Sequence, residues 1–191
     1  MREGLKRLIR HIVDIDDRQL DIITKEFKPM PVKQGALLLS AGDICSGFYY
    51  VHTGCLRAYF MTKDGHEKTR LVMPDCSIGT ALTSFISQKP SFEFIDALEN
   101  TELMVVNYTS FYRLIGEVPE WRNFYMKILE MAYIYQNKRI ENLSVLSARQ
   151  RYEKLLEENP SLVQKLSNKI LASYLDIAQE TLSRLKSKGR F

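Results

Sequence analysis

The chain has little with which to hold a metal or a redox centre. Cysteine occurs three times in 191 residues, at Cys45, Cys55 and Cys76, and histidine three times, at His11, His52 and His66. No CxxC pair exists, and the six residues are scattered, so zinc and iron–sulfur sites find no donor set and the same residues make poor haem ligands. The odd cysteine count reads as small apolar residues in a reducing cytosol. No apolar run approaches the ~18 residues that a membrane span requires. The opening "MREGLKRLIRHIVDIDD" is charged throughout and lacks the apolar core and cleavage site of an export signal. Asp14, Asp16 and Asp17 also argue against an organelle-targeting peptide, so a cytoplasmic location is expected. There is no internal repeat, no low-complexity linker and no His/Glu cluster on which catalysis would run. Neither an enzyme nor a cofactor is expected.

What is there is ordinary in bulk and uneven in placement. Hydrophobic residues make up 45% and charged residues 26%, the balance of a globular chain with a real core. From Pro160 to Phe191, however, six basic residues (Lys165, Lys169, Arg184, Lys186, Lys188, Arg190) face only Asp176 and Glu180. The whole net charge of +4 therefore lies in that stretch, and the remaining 159 residues balance at 21 of each sign. A positive excess confined to one end suits a polyanion-binding surface.

Along the chain the hydrophobic period changes twice. Leu5 to Phe27 spaces its apolar residues as a helix does, and "DIDD" breaks it into two helices, the second opened by an Asp cap. Lys28 to Asn107 holds short β-branched and aromatic runs between turn signals: Gly42-Asp43, Thr53-Gly54, the hairpin Lys63-Asp64-Gly65, and Glu99-Asn100. This implies an antiparallel sandwich or barrel. "GTALTSFIS", Gly79 to Ser87, reads as a helical turn or two. Helical spacing returns at Thr109, with a long helix over roughly 120–146 whose stripe is Phe124, Ile128, Met131 and Tyr135. That stripe is assigned to a homodimer interface. "ARQRYEKLLEENP" makes another helix, closed by Asn159-Pro160.

The end of the chain, "ASYLDIAQETLSRLKSK", reads as two helices around a turn. Ser167 caps the first, and Asp176 sits at the turn, where a left-handed conformation is tolerated. Ile177, Leu182 and Leu185 face inward, leaving Gln179, Glu180, Ser183 and Arg184 on the outer face. Such a helix-turn-helix puts the start of its second helix on base edges. Arg184 suits guanine O6 and N7, Glu180 cytosine N4, and Gln179 adenine. Thr181, Ser183, Lys186 and Lys188 suit phosphates, and Ser167 and Lys169 at the start of the preceding helix complete the DNA-facing set.

The order of parts, a β-rich roll, a long helix and a terminal helix-turn-helix, resembles the CRP/FNR family of bacterial transcription regulators across nearly the whole chain. "LLLSAGDICSGFYYVHTGCLRAYF" is similar to the family's early β-roll. "ASYLDIAQETLSRLKSK" is similar to its DNA-reading end, with Glu180-Thr181 and Arg184 at matching positions. The resemblance implies an α+β fold in three segments. Residues 1–118 form N-terminal helices and a jelly-roll β-barrel of cyclic-nucleotide-binding type. Residues 119–146 form a dimerisation helix, and 147–191 a helix-turn-helix without a full wing. It further implies a homodimer on a palindromic operator, with double-stranded DNA and RNA polymerase as partners. The effector pocket then falls on Gly79, Thr80, Ala81, Leu82, Ser91 and Phe92. In the cassette "IGTALTSFISQKPSFEFIDAL", Thr80 stands where cyclic-nucleotide binders carry the ribose-holding Glu, and Ser91 where they carry the phosphate-binding Arg. A buried phosphate without a cation is costly, so cyclic AMP is not expected, and an unknown small effector or none remains. The aromatics Tyr49, Tyr50, Phe85, Phe92 and Phe94 are candidates to fill the space. The competing reading is a ligand-sensing roll with no DNA target.

Overall fold

A computed structural model describes residues 1–188. Two helices open the chain: α1 (Arg2–Ile12) and α2 (Asp17–Glu26). Asp16 caps α2, its Oδ1 accepting from the Gln19 backbone N–H at 2.8 Å, which is the Asp cap that the "DIDD" break announced. Eight strands follow: β1 (Lys28–Val32), β2 (Leu37–Leu39), β3 (Gly47–Thr53), β4 (Leu56–Met61), β5 (Glu67–Met73), β6 (Ser77–Gly79), β7 (Glu93–Ala97) and β8 (Thr101–Asn107). The short helix α3 (Leu82–Ser87) interrupts them between β6 and β7, where a helical turn or two was expected. The strands form two four-stranded sheets, ordered β1-β8-β3-β6 and β2-β7-β4-β5. β3 lies against β8 in antiparallel register, Phe48 opposite Val106 and Tyr50 opposite Met104.

The remaining elements are helical: α4 (Tyr108–Glu117), α5 (Pro119–Val145), α6 (Ala148–Glu158), α7 (Pro160–Lys165), α8 (Asn168–Leu175) and α9 (Gln179–Lys188). Asn107 caps α4 through the Ser110 N–H at 2.8 Å. Ser147 and Gln150 form a reciprocal capping box on α6.

Two compact units emerge. The first comprises Met1–Phe60 and Leu71–Glu130; the second comprises Met61–Arg70, the tip of the β4–β5 hairpin, with the chain from Met131 onward. The division thus falls inside α5, not at either end of it. The first turns of α5 bury Trp121 and Phe124 completely among the aromatics of the roll unit, and that packing assigns them there.

The roll core is unusually aromatic. Phe111 stands 4.8 Å from Phe48, 5.2 Å from Phe85 and 5.1 Å from Trp121, ring centre to ring centre. Phe27 meets Trp121 edge-on. Each such ring contributes about 1.5–3 kcal/mol by burial, with further gain from the edge-to-face geometry. α1 lies close on β3 because residue 4 is glycine: a Cβ there would run into the Tyr50 hydroxyl. The helical unit has a smaller apolar centre of Leu162, Val163, Leu166, Leu171, Ala172, Leu175 and Leu182, all buried.

Candidate nucleic-acid interface

The α8–turn–α9 segment is built as its residues dictate. The Ser167 Oγ accepts from the Ile170 N–H at 3.4 Å and starts α8. Asp176 ends it in the left-handed region, at φ 54 and ψ 51, a conformation that Asp adopts more readily than bulkier residues. The Ile177 N–H then donates to Ala172 O at 3.0 Å and closes the turn. Leu182 is completely buried and fixes which side of α9 faces inward. Gln179, Glu180, Ser183 and Arg184 lie on the opposite, exposed side, and Thr181 is half-buried. Arg184 Nη2 donates to Thr181 Oγ1 at 3.3 Å, one turn back along the helix. Four base-reading candidates therefore share one open face at the start of α9.

Other residues of the DNA-facing set have partners within the unit. Lys186 Nζ donates to Asn168 Oδ1 at 2.7 Å, and Lys169 stands 3.4 Å from a Glu67 carboxylate oxygen. The side chain of Lys188 lies outside the described residues.

Sequence reasoning missed the anchoring of α8. The tip of the β4–β5 hairpin reaches it: the Thr69 N–H donates to Ser173 Oγ at 2.8 Å, that hydroxyl donates to Glu67 O at 2.7 Å, and Lys68 pairs with Asp176. Arg151 of α6 donates to the carbonyls of Leu175 at 3.0 Å, Asp176 at 3.3 Å and Leu146 at 2.8 Å. A guanidinium on the last carbonyls of α8 satisfies orphan acceptors and complements the helix dipole. The hairpin signal was legible at Lys63-Asp64-Gly65, but nothing local in the sequence pairs residues 67–69 with 173–176.

The two cassette positions that decide the ligand reading are bonded within their own unit. Thr80 is buried, and its hydroxyl donates to Gly47 O at 2.7 Å and lies 3.1 Å from Cys45 Sγ. Ser91 is buried too; its Oγ donates to Glu93 O at 3.1 Å and accepts from Glu93 N–H at 2.9 Å. The buried cation of the roll, Arg57, is bound by Asp96 at 2.5 and 3.0 Å and lies over the Tyr59 ring. Gly79 pairs with Tyr49 in the sheet, and burial pushes the Tyr49 phenol well up, so it stays neutral. Ala81 is buried and Leu82 half-buried. Of the aromatics proposed to fill this region, Phe85 is wholly inside, whereas Phe92 is 87% exposed and fills nothing.

The stripe on α5 divides. Phe124 is buried in the roll core, Ile128 packs against it, and the Tyr135 hydroxyl bonds Arg70 O at 3.2 Å and the Tyr174 hydroxyl at 3.1 Å. Only Met131 of the four is open, at 56%. Of the other exposed apolar residues of α5, Met126, Tyr133 and Ile140 recur seven residues apart on another face, while Ile134, Leu143 and Val145 lie off that line.

Comparison with known proteins gives consistent matches. The family model described as cyclic nucleotide-binding domain matches residues 29–117. The chain is similar to the anaerobic regulatory protein of Haemophilus influenzae, at 25% identity over 186 residues, covering 91% of this chain and 69% of that protein. It is similar to the fumarate and nitrate reduction regulatory protein of Vibrio cholerae, at 27% identity, covering 91% and 71%. Among solved structures it shares the fold of the Thermus thermophilus catabolite activator protein, with a TM-score of 0.62 at 21% identity over 95% of this chain and 85% of that one.

Proposed function

The chain belongs to the CRP/FNR family of transcription regulators, and on that premise we propose that it reads duplex DNA as a homodimer and does so without cyclic AMP. The observation that carries this reading is the open face at the start of α9, where Gln179, Glu180, Ser183 and Arg184 are exposed on a helix held from behind by buried Leu182. Side chains at that position enter the major groove with the helix N-terminus, and Arg184 is the residue expected to take guanine. Thr181, Lys186 and Lys188, with Ser167 and Lys169 from α8, supply phosphate contacts. Lys186 and Lys169 exchange their internal partners for phosphate on docking.

A second copy pairs through α5, on the face carrying Tyr133 and Ile140. Their seven-residue spacing, continued back to Met126, is that of a two-helix seam. Two α9 helices then meet successive major grooves about one helical turn apart, and the operator is an inverted repeat. The reading places the protein in the cytoplasm, with RNA polymerase as a further partner. The roll holds any effector without the ribose and phosphate contacts of a cyclic nucleotide, because Thr80, Ser91 and Arg57 are already bonded to Gly47, Glu93 and Asp96.

Titration of the full chain against duplex DNA over a salt series tests this reading. Log affinity falls linearly with log salt, by about 0.9 per phosphate neutralised, and added cyclic AMP leaves the curve unmoved. A ligand-sensing roll without a DNA target gives no binding at any salt.

A further inference from the structure

The helical unit carries a cavity of about 240 Å³ that the DNA reading does not use. α5, α6 and α8 wall it, and four cations line it: Lys138 and Arg139 from α5, Arg151 and Lys154 from α6. Glu158 is the single carboxylate in the lining. The two guanidiniums are fixed by neutral groups. Arg139 donates to Thr69 O at 2.8 Å and Tyr174 O at 3.0 Å and lies over the Tyr174 ring, while Arg151 is spent on three carbonyls. Among the described residues, no carboxylate pairs with either. Lys154 bonds Asn142 Oδ1 at 3.0 Å and reaches Glu158 only at 4.0 Å. Lys138 is exposed and enters none of these pairings.

The lining therefore holds a formal excess of three positive charges around a concave space. Like charges so placed repel one another, and an anion that enters relieves this while gaining charge-assisted hydrogen bonds. Arg139 and Arg151 cannot swing away to find carboxylates elsewhere without abandoning the carbonyls that they satisfy. The lysines, on flexible stems, are the donors able to close on a ligand. Burial pushes the Tyr174 phenol well up, so the hydroxyl beside it stays neutral and adds no opposing charge. The space is below the ~300 Å³ at which drug-sized pockets begin, which favours a compact ligand of few carbons.

We propose that this cavity binds a small phosphate monoester, with Lys138 and Lys154 as direct donors and Arg139 and Arg151 as a fixed positive field. The site stands apart from the roll cassette and does not depend on the chain binding DNA.

Calorimetric titration of the full chain with glycerol 3-phosphate, inorganic phosphate and glycerol tests it. Both phosphates are expected to bind saturably at one site per chain, and glycerol not at all. Lys138→Glu and Lys154→Gln each weaken glycerol 3-phosphate binding by about tenfold or more, the loss of one charge-assisted hydrogen bond. Lys127→Glu, a charge reversal on the same helix outside the cavity, leaves it unchanged, and circular dichroism establishes that the variants are folded. The proposal is overturned if neither phosphate binds, if Lys127→Glu weakens binding as much as Lys138→Glu, or if duplex DNA is the only polyanion whose binding Lys138→Glu reduces.

Discussion

In the roll unit, Thr80, Ser91 and Arg57 are each answered by another group of the same unit. In the helical unit, Gln179, Glu180, Ser183 and Arg184 face outward, and four cations line a cavity with one carboxylate. Those three groups of the first unit are bonded within it, whereas the outer face at the start of α9 stays open to solvent. A buried hydroxyl or charge that already has its partner offers little to a ligand, because binding must first break that bond. An exposed side chain on a rigidly held helix offers its full interaction. On the proposed reading, the roll serves as scaffold and recognition falls to the chain's basic end.

The largest test of this contrast removes the roll's interior support. Trp121→Ala deletes a completely buried ring that touches Phe27, Phe111 and Phe124. It is expected to cost about 3–5 kcal/mol, read as a fall in the urea midpoint by circular dichroism. Leu182→Ala, behind the open face of α9, is expected to cost about 2–5 kcal/mol and to weaken DNA binding with it, since the face loses its backing. Arg184→Ala separates the two properties. Stability stays within about 0.5 kcal/mol, as for an exposed residue. DNA affinity falls by about 1–3 kcal/mol, and preference at one base position relaxes, as measured by competition between operator variants.

The smallest effect is electrostatic and belongs to the roll unit. Glu26 accepts from Ser110 Oγ at 2.7 Å and pairs with Arg113 at 2.9 Å, and these partners hold its carboxyl below the ordinary glutamate value. A folded pKa below the unfolded one stabilises the fold above the unfolded value, and that contribution is lost as pH falls through the folded value. Glu26→Gln should flatten this acid-side slope in urea midpoints recorded against pH, leaving the neutral-pH midpoint only slightly lowered.

Much of this was legible from local pattern. The caps at Asp16 and Ser167, the left-handed turn at Asp176 and the inward Leu182 follow from residue types acting within a few positions of themselves. The long helix was placed to within one residue at each end, over Pro119–Val145. The face of that helix was harder. Phe124, Ile128 and Tyr135 do form a helical stripe, but periodicity alone does not say whether a stripe meets its own core or a partner. The aromatic roll claims the first two, and Arg70 with Tyr174 claims the third. The hold of the hairpin tip on α8 and the gathering of Lys138, Arg139, Arg151 and Lys154 around one cavity were not legible, because they join residues far apart in the chain.

The measurement that bears most directly on the central claim is a genomic DNA selection with the purified full chain, at two salt concentrations and with no ligand added. The account predicts recovery of one inverted-repeat motif with half-sites about one helical turn apart, enriched at both salts and lost in the Arg184→Ala chain. Recovery of no motif, or of binding that vanishes with salt and carries no sequence preference, would contradict it.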